Sequence, residues 1–182
     1  MTAGAGDQLS PRAREIAAAA RELLEQEGSE GLSMRKVAAR LGIQAPSLYK
    51  HLPDKQALES AVISMGFEEQ AAVFGRAMES DDPLRALAES YRRYARAHPH
   101  LYRLMTERPL RRDRLTPGVE QRAATPAVTA AGGDPDLARA FWAFAHGMTI
   151  LELNGRFPED ADLDAAWECG LLAFRGIARP VR

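Results

Sequence analysis

In residues 32–55 of this 182-residue chain the basic side chains outnumber the acidic ones, and hydroxyl and amide side chains lie among them. The basic residues are Arg35, Lys36, Arg40, Lys50 and Lys55, and the acid that opposes them is Asp54. Positive charge clustered in this way releases counterions from a phosphate backbone, which favours binding to nucleic acid. The whole chain has a formal net charge of -1, so the indication comes from this local excess and not from the overall balance.

Two short amphipathic helices must position these side chains. The first has an apolar face at i, i+3, i+4 and i+7, formed by Met34, Val37, Ala38 and Leu41. Gly42 can adopt the left-handed conformation that ends such a helix, and Ile43 fills the turn. The inward residues of the second helix are Ala45, Leu48 and Leu52. Its outward residues, the candidate base or phosphate contacts, are Gln44, Pro46, Ser47, Lys50 and His51. This helix-turn-helix pattern predicts binding in the major groove of double-stranded DNA.

The remaining sequence predicts an all-α fold. Hydrophobic residues make up 46% of the chain, in periodic Ala-rich and Leu-rich segments that Pro and Gly interrupt. No run of alternating β-branched residues predicts a strand, and the segments add up to about nine helices. We expect residues 1–10 to be a disordered lead, residues 11–55 a helix-turn-helix DNA-binding domain, and residues 56–182 an α-helical regulatory domain for ligand binding and dimerisation.

Capping signals and charge place the helices more closely. Ser10 and Pro11 have the order of a cap followed by a first-turn proline, so the first helix should run from there to Gly28. Asp54 should cap a long fourth helix with two apolar stripes, which we interpret as the link between the two domains. The charge-dense residues 107–114, ERPLRRDR, predict a solvated helix end and loop, and a second DNA contact is the alternative.

Two predicted helices near the C-terminus, residues 135–154 and 163–178, are apolar on nearly every face. A monomer of this size cannot cover both, so we expect two copies of the pair to form a symmetric four-helix interface. The interface residues predicted in this way are Gly147, Leu151, Trp167, Leu171 and Phe174. The alternative is that both helices lie in the core of a monomer.

Several classes of protein are disfavoured. The N-terminus lacks the order of a signal peptide and no segment reaches the roughly 20 apolar residues of a membrane span, so we expect a cytoplasmic protein without membrane contact. Cys169 is the one cysteine, which excludes an internal disulfide and predicts a buried thiol. His98, His100 and His146 lack companions at metal-ligand spacing, so we expect no metal and no cofactor. No nucleophile and base are paired, so we expect no enzyme activity.

Residues 33–58, SMRKVAARLGIQAPSLYKHLPDKQAL, resemble the DNA-binding unit of the tetracycline-repressor (TetR) family of transcriptional regulators. The residues that carry the resemblance are Val37, Ala38, Gly42, Ile43, Leu48, Tyr49, Leu52, Lys55 and Leu58. The later segment WAFAHGMTILELNGRF, with Trp142, His146 and Gly147, resembles the WHG type of regulatory domain found in part of that family. The two resemblances cover most of the chain apart from the first ten residues and residues 108–118.

The resemblance implies a role for each residue of the helix-turn-helix. Phosphate contacts would come from Ser33, Arg35, Tyr49, His51 and Lys55. The major groove would be faced by Gln44, Ala45, Pro46, Ser47 and Lys50. Charge and geometry agree, because Lys55 adds to the positive end of a helix dipole and Tyr49 offers a phenol donor on a rigid arm. The alternatives are a core aromatic for Tyr49 and a solvated lysine for Lys55. Gln44 stands where the family commonly has Ser or Thr, so it either caps the helix or reads adenine through its amide.

Aromatic and thioether side chains exceed what a small α-helical core needs, which indicates a pocket for a mostly apolar ligand. The predicted pocket residues are Phe67, Tyr91, Tyr94, Tyr102, Met105, Trp142, His146 and Met148, and ordinary core packing is the alternative for each. We therefore expect a homodimeric repressor that binds a palindromic operator and is released by a small-molecule effector. The rival interpretations are a DNA-binding architectural or cell-division factor without a pocket, and an all-α enzyme or ligand carrier.

Overall fold

The structure, a computed structural model, describes residues 9–177. Within this range the chain forms nine α-helices and two short 3-10 turns, and no strand. The helices are α1 (Pro11–Glu27), α2 (Met34–Arg40), α3 (Ala45–Tyr49), α4 (Lys55–Ala77), α5 (Pro83–Ala97), α6 (Pro99–Thr106), α7 (Val119–Ala130), α8 (Pro135–Leu153) and α9 (Leu163–Ile177). The all-α prediction is confirmed. Residues 1–8 of the predicted disordered lead lie outside the described residues. None of the described helices is long and apolar enough to cross a membrane.

The helices begin at the capping residues that the sequence indicates. Ser10 Oγ accepts a hydrogen bond from the Ala13 amide at 3.2 Å, and Pro11 occupies the first turn, so α1 starts where predicted. Asp134 caps α8 in the same way, since its Oδ1 accepts from the Asp136 amide at 2.8 Å. These oxygens satisfy amides that have no partner within their own helix.

The helices form two compact units, each with its own core. The first contains residues 9–69 together with residues 98–120, and the second contains residues 70–97 together with residues 121–177. α4 contributes to both units, with its residues up to 69 in the first and its residues from 70 in the second. α6 belongs to the first unit, although the sequence analysis assigned it to the regulatory domain. The boundary predicted at residue 55 separates a DNA-binding part from a regulatory part, and it stays a prediction.

The core of the first unit is formed by α1, α2, α3 and α6 with the first part of α4. Its fully buried side chains include Ile16, Leu24, Val37, Leu48, Leu58, Val62, Leu101 and Tyr102. Burial of one such aliphatic side chain stabilises the fold by about 1.5–3 kcal/mol. α6 is fixed to α1 because the Leu101 amide donates to Glu25 Oε1 at 3.1 Å. α6 also approaches α4 closely, since a Cβ at Gly66 would lie 2.6 Å from the Met105 sulfur.

The core of the second unit is rich in aromatic contacts. Phe74 of α4 stacks on Tyr91 of α5 with ring centroids 5.9 Å apart. Phe144 of α8 meets Trp167 of α9 edge to face at 5.4 Å. Gly170 permits this approach of α8 and α9, because a Cβ at that position would overlap the Phe144 ring.

Arg92 of α5 connects three helices of the second unit, α5, α8 and α9. Its Nε lies 2.7 Å from Glu152 Oε2 on α8, and its Nη1 lies 2.5 Å from Asp164 Oδ1 on α9. Its guanidinium carbon lies 5.8 Å from the centroid of the Trp167 ring, a cation–π distance. The hydrogen bond to Glu152 raises the pKa of Arg92, and the hydrogen bond from Arg92 lowers the pKa of Asp164. These bonds keep α5, α8 and α9 in register.

The position expected for Cys169 is wrong, because this cysteine is exposed on α9 and not buried. The inward face of α9 carries Trp167 and Leu171, which are buried, and Cys169 lies two positions from each. A helix rotates by about 100° per residue, so that spacing takes the thiol away from the core.

α3 is shorter than the sequence analysis expects. It ends at Tyr49, whereas the sequence analysis placed Leu52 on its inward face. The Leu52 amide still donates to the Leu48 carbonyl at 2.9 Å, so one further turn follows the helix. Pro53 has no amide hydrogen and disfavours a helical conformation of the residue before it, which ends the segment.

Candidate nucleic-acid interface

The turn between α2 and α3 has a geometry that glycine permits. Gly42 has a φ of 65°, in the left-handed region. Its amide donates to the Ala39 carbonyl at 3.1 Å, and the Ile43 amide donates to the Ala38 carbonyl at 3.0 Å. These bonds close the end of α2 and fix the direction in which α3 leaves it. The conformation predicted for Gly42 is confirmed.

Most of the predicted DNA contacts lie at the surface of the first unit. The exposed residues among them are Arg35, Gln44, Pro46, Tyr49, Lys50, His51 and Lys55, and the half-buried ones are Ser33, Ala45 and Ser47. The Tyr49 side chain is 49% exposed, which excludes the core position that was its alternative. Leu48 beside it is fully buried, so α3 is anchored through one face and presents the other to solvent.

Ser33 and Gln44 each precede a helix, but they differ in whether the side chain caps it. Ser33 caps α2, because its Oγ accepts from the Lys36 amide at 3.3 Å, and its hydroxyl hydrogen can still be donated to a phosphate. Gln44 precedes α3 but makes no capping hydrogen bond with its side chain. Its exposed amide therefore keeps both a donor and an acceptor for a base edge.

Lys55 is the first residue of α4, and Asp54 before it caps the helix. Asp54 Oδ1 accepts from the Ala57 amide at 2.7 Å. The Lys55 ammonium lies 3.8 Å from Glu59 Oε1, at the limit of an ion pair. A helix N-terminus carries partial positive charge, so a lysine there gains stability when an anion binds beside it.

Two of the basic residues counted with the phosphate-facing charge are already paired. Lys36 Nζ lies 2.6 Å from Glu27 Oε2, and Arg40 Nη2 lies 2.8 Å from Glu22 Oε2, both on α1. Less positive charge is free than residues 32–55 alone predict, because Glu22 and Glu27 precede that segment in the chain. Glu22 and Glu27 lie in the C-terminal half of α1, the helix that precedes α2. Their position could have predicted the ion pairs with Lys36 and Arg40.

Arg35 and Lys50 remain as cations for DNA. Both are exposed, and neither forms an ion pair with a side chain in the described part of the chain. Together with Lys55 they place positive charge on α2, after α3 and at the start of α4. The charges on α2 and α4 suit the DNA backbone, whereas Gln44, Ser47 and Lys50 around α3 can distinguish bases.

The charge-dense residues 107–114 are mostly exposed, as predicted, and pair with the first turns of α4. Arg114 Nη1 lies 2.9 Å from Asp54 Oδ1, and Arg108 Nη1 lies 3.4 Å from Glu59 Oε1. The Ala57 amide and the Arg114 guanidinium hold the pKa of Asp54 below its ordinary 3.8. Sequence reasoning missed these pairs because Asp54 and Arg114 are 60 residues apart.

The histidines considered for metal binding are dispersed. His98 and His100 lie at the start of α6 in the first unit, and His146 lies in α8 of the second. Among residues 9–177, no three His, Cys, Asp or Glu side chains are placed to share a metal ion. Burial lowers the pKa of His98, the charge of Arg21 lowers it further, and the charge of Glu25 opposes both.

The residues predicted to line a ligand pocket divide between the two compact units. Tyr91, Tyr94, Tyr102 and Met105 are buried, and Phe67, His146 and Met148 are half-buried. Trp142 is 52% exposed, so its predicted place inside a pocket is wrong; its ring stacks on His146 at the surface of α8. Two clefts, of about 380 and 150 Å³, are lined by other residues. The pocket stays a prediction.

The predicted dimer residues are only partly available. Trp167 and Leu171 are 5% and 3% exposed, so their assignment to an interface is wrong. They face the subunit core, where Trp167 packs on Phe144. Leu151 is 41% exposed, while Gly147 and Phe174 are half-buried.

Two exposed stripes of small and apolar residues replace them. The α8 stripe is Ala140, Ala143, Gly147 and Leu151, and the α9 stripe is Ala166, Cys169, Leu172 and Ala173. Steps of three and four residues along α8, and spacings of three and four residues from Cys169 in α9, keep each stripe on one face of its helix. Leu172 is 57% exposed, and a Cβ at Gly147 would meet nothing within 4 Å. Sequence periodicity could have separated these stripes from the inward faces.

Both parts of the chain match known families. Residues 16–62 match the family described as bacterial regulatory proteins, tetR family, and residues 84–174 match the tetracyclin repressor-like C-terminal domain. The chain belongs to the TetR family of transcriptional regulators. It is therefore a DNA-binding regulator with a helix-turn-helix, and not an enzyme.

Three TetR-like proteins show the extent of the similarity. An HTH-type transcriptional regulator of Mycobacterium tuberculosis is 30% identical over 155 residues, which cover 79% of this chain and 71% of that protein. The nucleoid occlusion factor SlmA of Photobacterium profundum is 27% identical over 124 residues, covering 64% and 63%. The crystal structure of a TetR variant of Acinetobacter baumannii with minocycline superposes with a TM-score of 0.64 at 26% identity, covering 94% of this chain and 99% of that one.

Proposed function

We propose that this TetR-family regulator is a homodimeric repressor whose binding to a palindromic operator is released by a small, mostly apolar ligand. The observation that carries the proposal is the pair of exposed apolar stripes on α8 and α9, in a chain that also presents one DNA-reading helix. A single α3 can read one half-site. Two copies joined through these stripes can read two half-sites related by the same two-fold symmetry.

Each exposed residue of the helix-turn-helix has a role in this proposal. Arg35 and Lys55 bind phosphates through charge, and Tyr49 binds one through its hydroxyl. Ser33 and His51 add weaker phosphate contacts. The bases are read by Gln44 and Lys50, with Ala45, Pro46 and Ser47 shaping the contact. The Gln44 amide suits adenine and the Lys50 ammonium suits guanine.

The stripes on α8 and α9 are suited to close contact between two copies. Ala140, Ala143 and Gly147 have small side chains, which let two helices approach closely, and Leu151 and Leu172 supply apolar area. Exposed apolar faces of this kind in soluble proteins mark interaction surfaces. The same patch on both copies gives a closed dimer.

Ligand control is supported by the minocycline complex of the A. baumannii relative and by the aromatic residues of the second unit. A ligand that binds the released conformation better than the DNA-bound one lowers operator affinity. A coupling of about 1–3 kcal/mol weakens the operator complex by roughly 5- to 150-fold.

The test begins with selection of an operator from random duplexes and continues with a screen of apolar compounds. Compounds that raise the thermal midpoint are then titrated into the operator complex. We expect at least one that both stabilises the protein and lowers operator affinity. Binding of compounds without any change in operator affinity would exclude ligand-released repression.

A second candidate function is a DNA-binding architectural or cell-division factor without a ligand pocket. It is favoured by the similarity to the nucleoid occlusion factor SlmA. None of the predicted pocket residues lines either of the two clefts described above, which also agrees with it. Many selected sites spread over a genome, with no compound that changes their affinity, would support this candidate.

A further inference from the structure

The arginine segment, residues 108–114, contacts α4 at the residues that flank Lys55. Arg114 Nη1 lies 2.9 Å from Oδ1 and 3.0 Å from Oδ2 of Asp54. Arg108 Nη1 lies 3.4 Å from Glu59 Oε1, the same oxygen that lies 3.8 Å from the Lys55 ammonium. Two arginines thus pair with the two carboxylates nearest to Lys55 in the first turns of α4.

The arginine segment is anchored just beyond its end. The Thr116 amide donates to Ser64 Oγ at 3.0 Å, and the Ser64 hydroxyl donates to the Ser60 carbonyl at 2.8 Å. Ser64 is 1% exposed, so this anchor lies in the core of the first unit. Arg114 therefore approaches Asp54 from a fixed backbone rather than from a free loop.

Asp54 holds a carboxylate at the start of α4, next to Lys55 in the chain. It caps α4 through the Ala57 amide at 2.7 Å, so its side chain is held at the first turn of the helix. The Ala57 amide and the Arg114 guanidinium hold its pKa below 3.8, so the carboxylate is charged near neutral pH. An unpaired carboxylate beside Lys55 would compete for the ammonium and repel a phosphate.

We propose that Arg114 and Arg108 are positioning residues for DNA binding, which cancel the charge of Asp54 and Glu59 so that Lys55 is free to bind a phosphate. The proposal rests on the phosphate role proposed for Lys55. It gives the arginine segment a part in affinity without direct contact with DNA. The segment itself carries little free charge, since Arg111 pairs with Asp113 at 2.9 Å and Arg112 with Glu120 at 2.7 Å.

The test uses a fluorescent duplex of random sequence at low salt, because phosphate contacts do not depend on sequence. Arg114→Ala should weaken binding by about two- to fivefold, the size of a surface charge interaction. The matched control is Arg112→Ala, which removes the same charge from the same segment but leaves α4 untouched. The change in the logarithm of the dissociation constant for Arg112→Ala should be less than half of the change for Arg114→Ala.

Rescue separates charge cancellation from a structural role. Asp54→Asn keeps the cap, since asparagine caps as well as aspartate, but removes the carboxylate. The double variant Asp54→Asn/Arg114→Ala should recover wild-type affinity, and Asp54→Asn alone should bind at least as well as wild type. If the ion pair served only to hold the fold, all three variants would be weak alike, and the proposal would be overturned.

Two further outcomes are distinguishable. A double variant that stays weak, with a salt slope reduced by about one, means that Arg114 itself contacts a phosphate, which overturns the proposal. Lys55→Ala that binds like wild type means that the phosphate role of Lys55 has failed. Glu59→Gln in an Arg108→Ala background repeats the rescue test at the second carboxylate.

Discussion

Lys55 occupies the first turn of α4, where a positive charge costs roughly 0.3–1 kcal/mol against the helix dipole. We predict that Lys55→Ala leaves the fold intact, weakens binding to specific and random duplexes alike, and lowers the salt slope by about one. Tyr49→Phe should weaken both duplexes without changing the slope, because it removes a neutral donor. Affinity measured over a range of salt concentrations separates the two effects.

The base-reading residues should behave differently. Gln44→Ala and Lys50→Ala should reduce the preference for the selected operator over random sequence by about 1–3 kcal/mol per lost base contact. Arg139→Ala, which removes an exposed charge from α8, is the control for net charge. Equal loss on operator and random duplex would contradict the base-reading assignment of Gln44.

Gly42 permits a stability prediction at a single residue. Its φ of 65° disfavours any side chain, although a Cβ there would meet nothing within 4 Å. We predict that Gly42→Ala lowers the free energy of unfolding by about 1 kcal/mol through backbone strain alone. Gly75→Ala in α4, where space is also open, should instead raise it by roughly 0.5–1 kcal/mol. Urea denaturation of both variants checks the pair, and a shift of the same sign would contradict it.

At the scale of elements, α8 and α9 carry the proposed dimer. We predict that Leu172→Glu, or Gly147→Phe, gives a folded monomer with weak operator binding. The fold should survive because Leu172 is exposed and a Cβ at Gly147 would meet no atom of the same subunit within 4 Å. Ala124→Glu on the exposed side of α7 is the matched control and should stay dimeric. Sedimentation and helical content are the measurements. A folded wild-type monomer at micromolar concentration would refute the interface.

α6 should make the first unit sensitive to pH through His98. Burial and Arg21 lower its folded pKa below 6.5, so the unfolded chain binds the proton more readily. Stability is therefore full above about pH 6.5 and falls as the pH drops below that value. We predict a declining urea midpoint between about pH 7.5 and 5.5 that His98→Gln flattens. The exposed His100→Gln should keep the decline, and a flat wild-type profile would sink the prediction.

The helices could be predicted because their signals are local. Ser10, Ser33, Asp54 and Asp134 each cap the helix that begins beside them, and Gly42 ends α2 by its own conformation. The side-chain partners could not, because they depend on which helices pack together. From the sequence Trp167 is interpreted as exposed apolar surface, whereas in the structure Phe144 covers it. Asp54 is predicted only as a helix cap, whereas in the structure it also pairs with Arg114.

At the scale of the whole molecule, positive and negative side chains nearly cancel in number but lie in different places. A net charge of -1 conceals a first unit in which Arg35, Lys50 and Lys55 face solvent while acids on α1 pair with Lys36 and Arg40. Association with DNA should be fast at low salt and slow steeply as salt rises, because local charge steers the encounter. Stopped-flow mixing with random duplex measures this dependence.

Cys169 is the one thiol of the chain, and it lies exposed in the α9 stripe. Its alkylation rate is therefore a chemical footprint of a single patch of surface. If two copies meet through that stripe, the thiol will react slowly at high protein concentration and faster on dilution, while the unfolded chain sets the upper limit. The midpoint of that change in initial rate gives the dissociation constant of the dimer before alkylation has altered the interface.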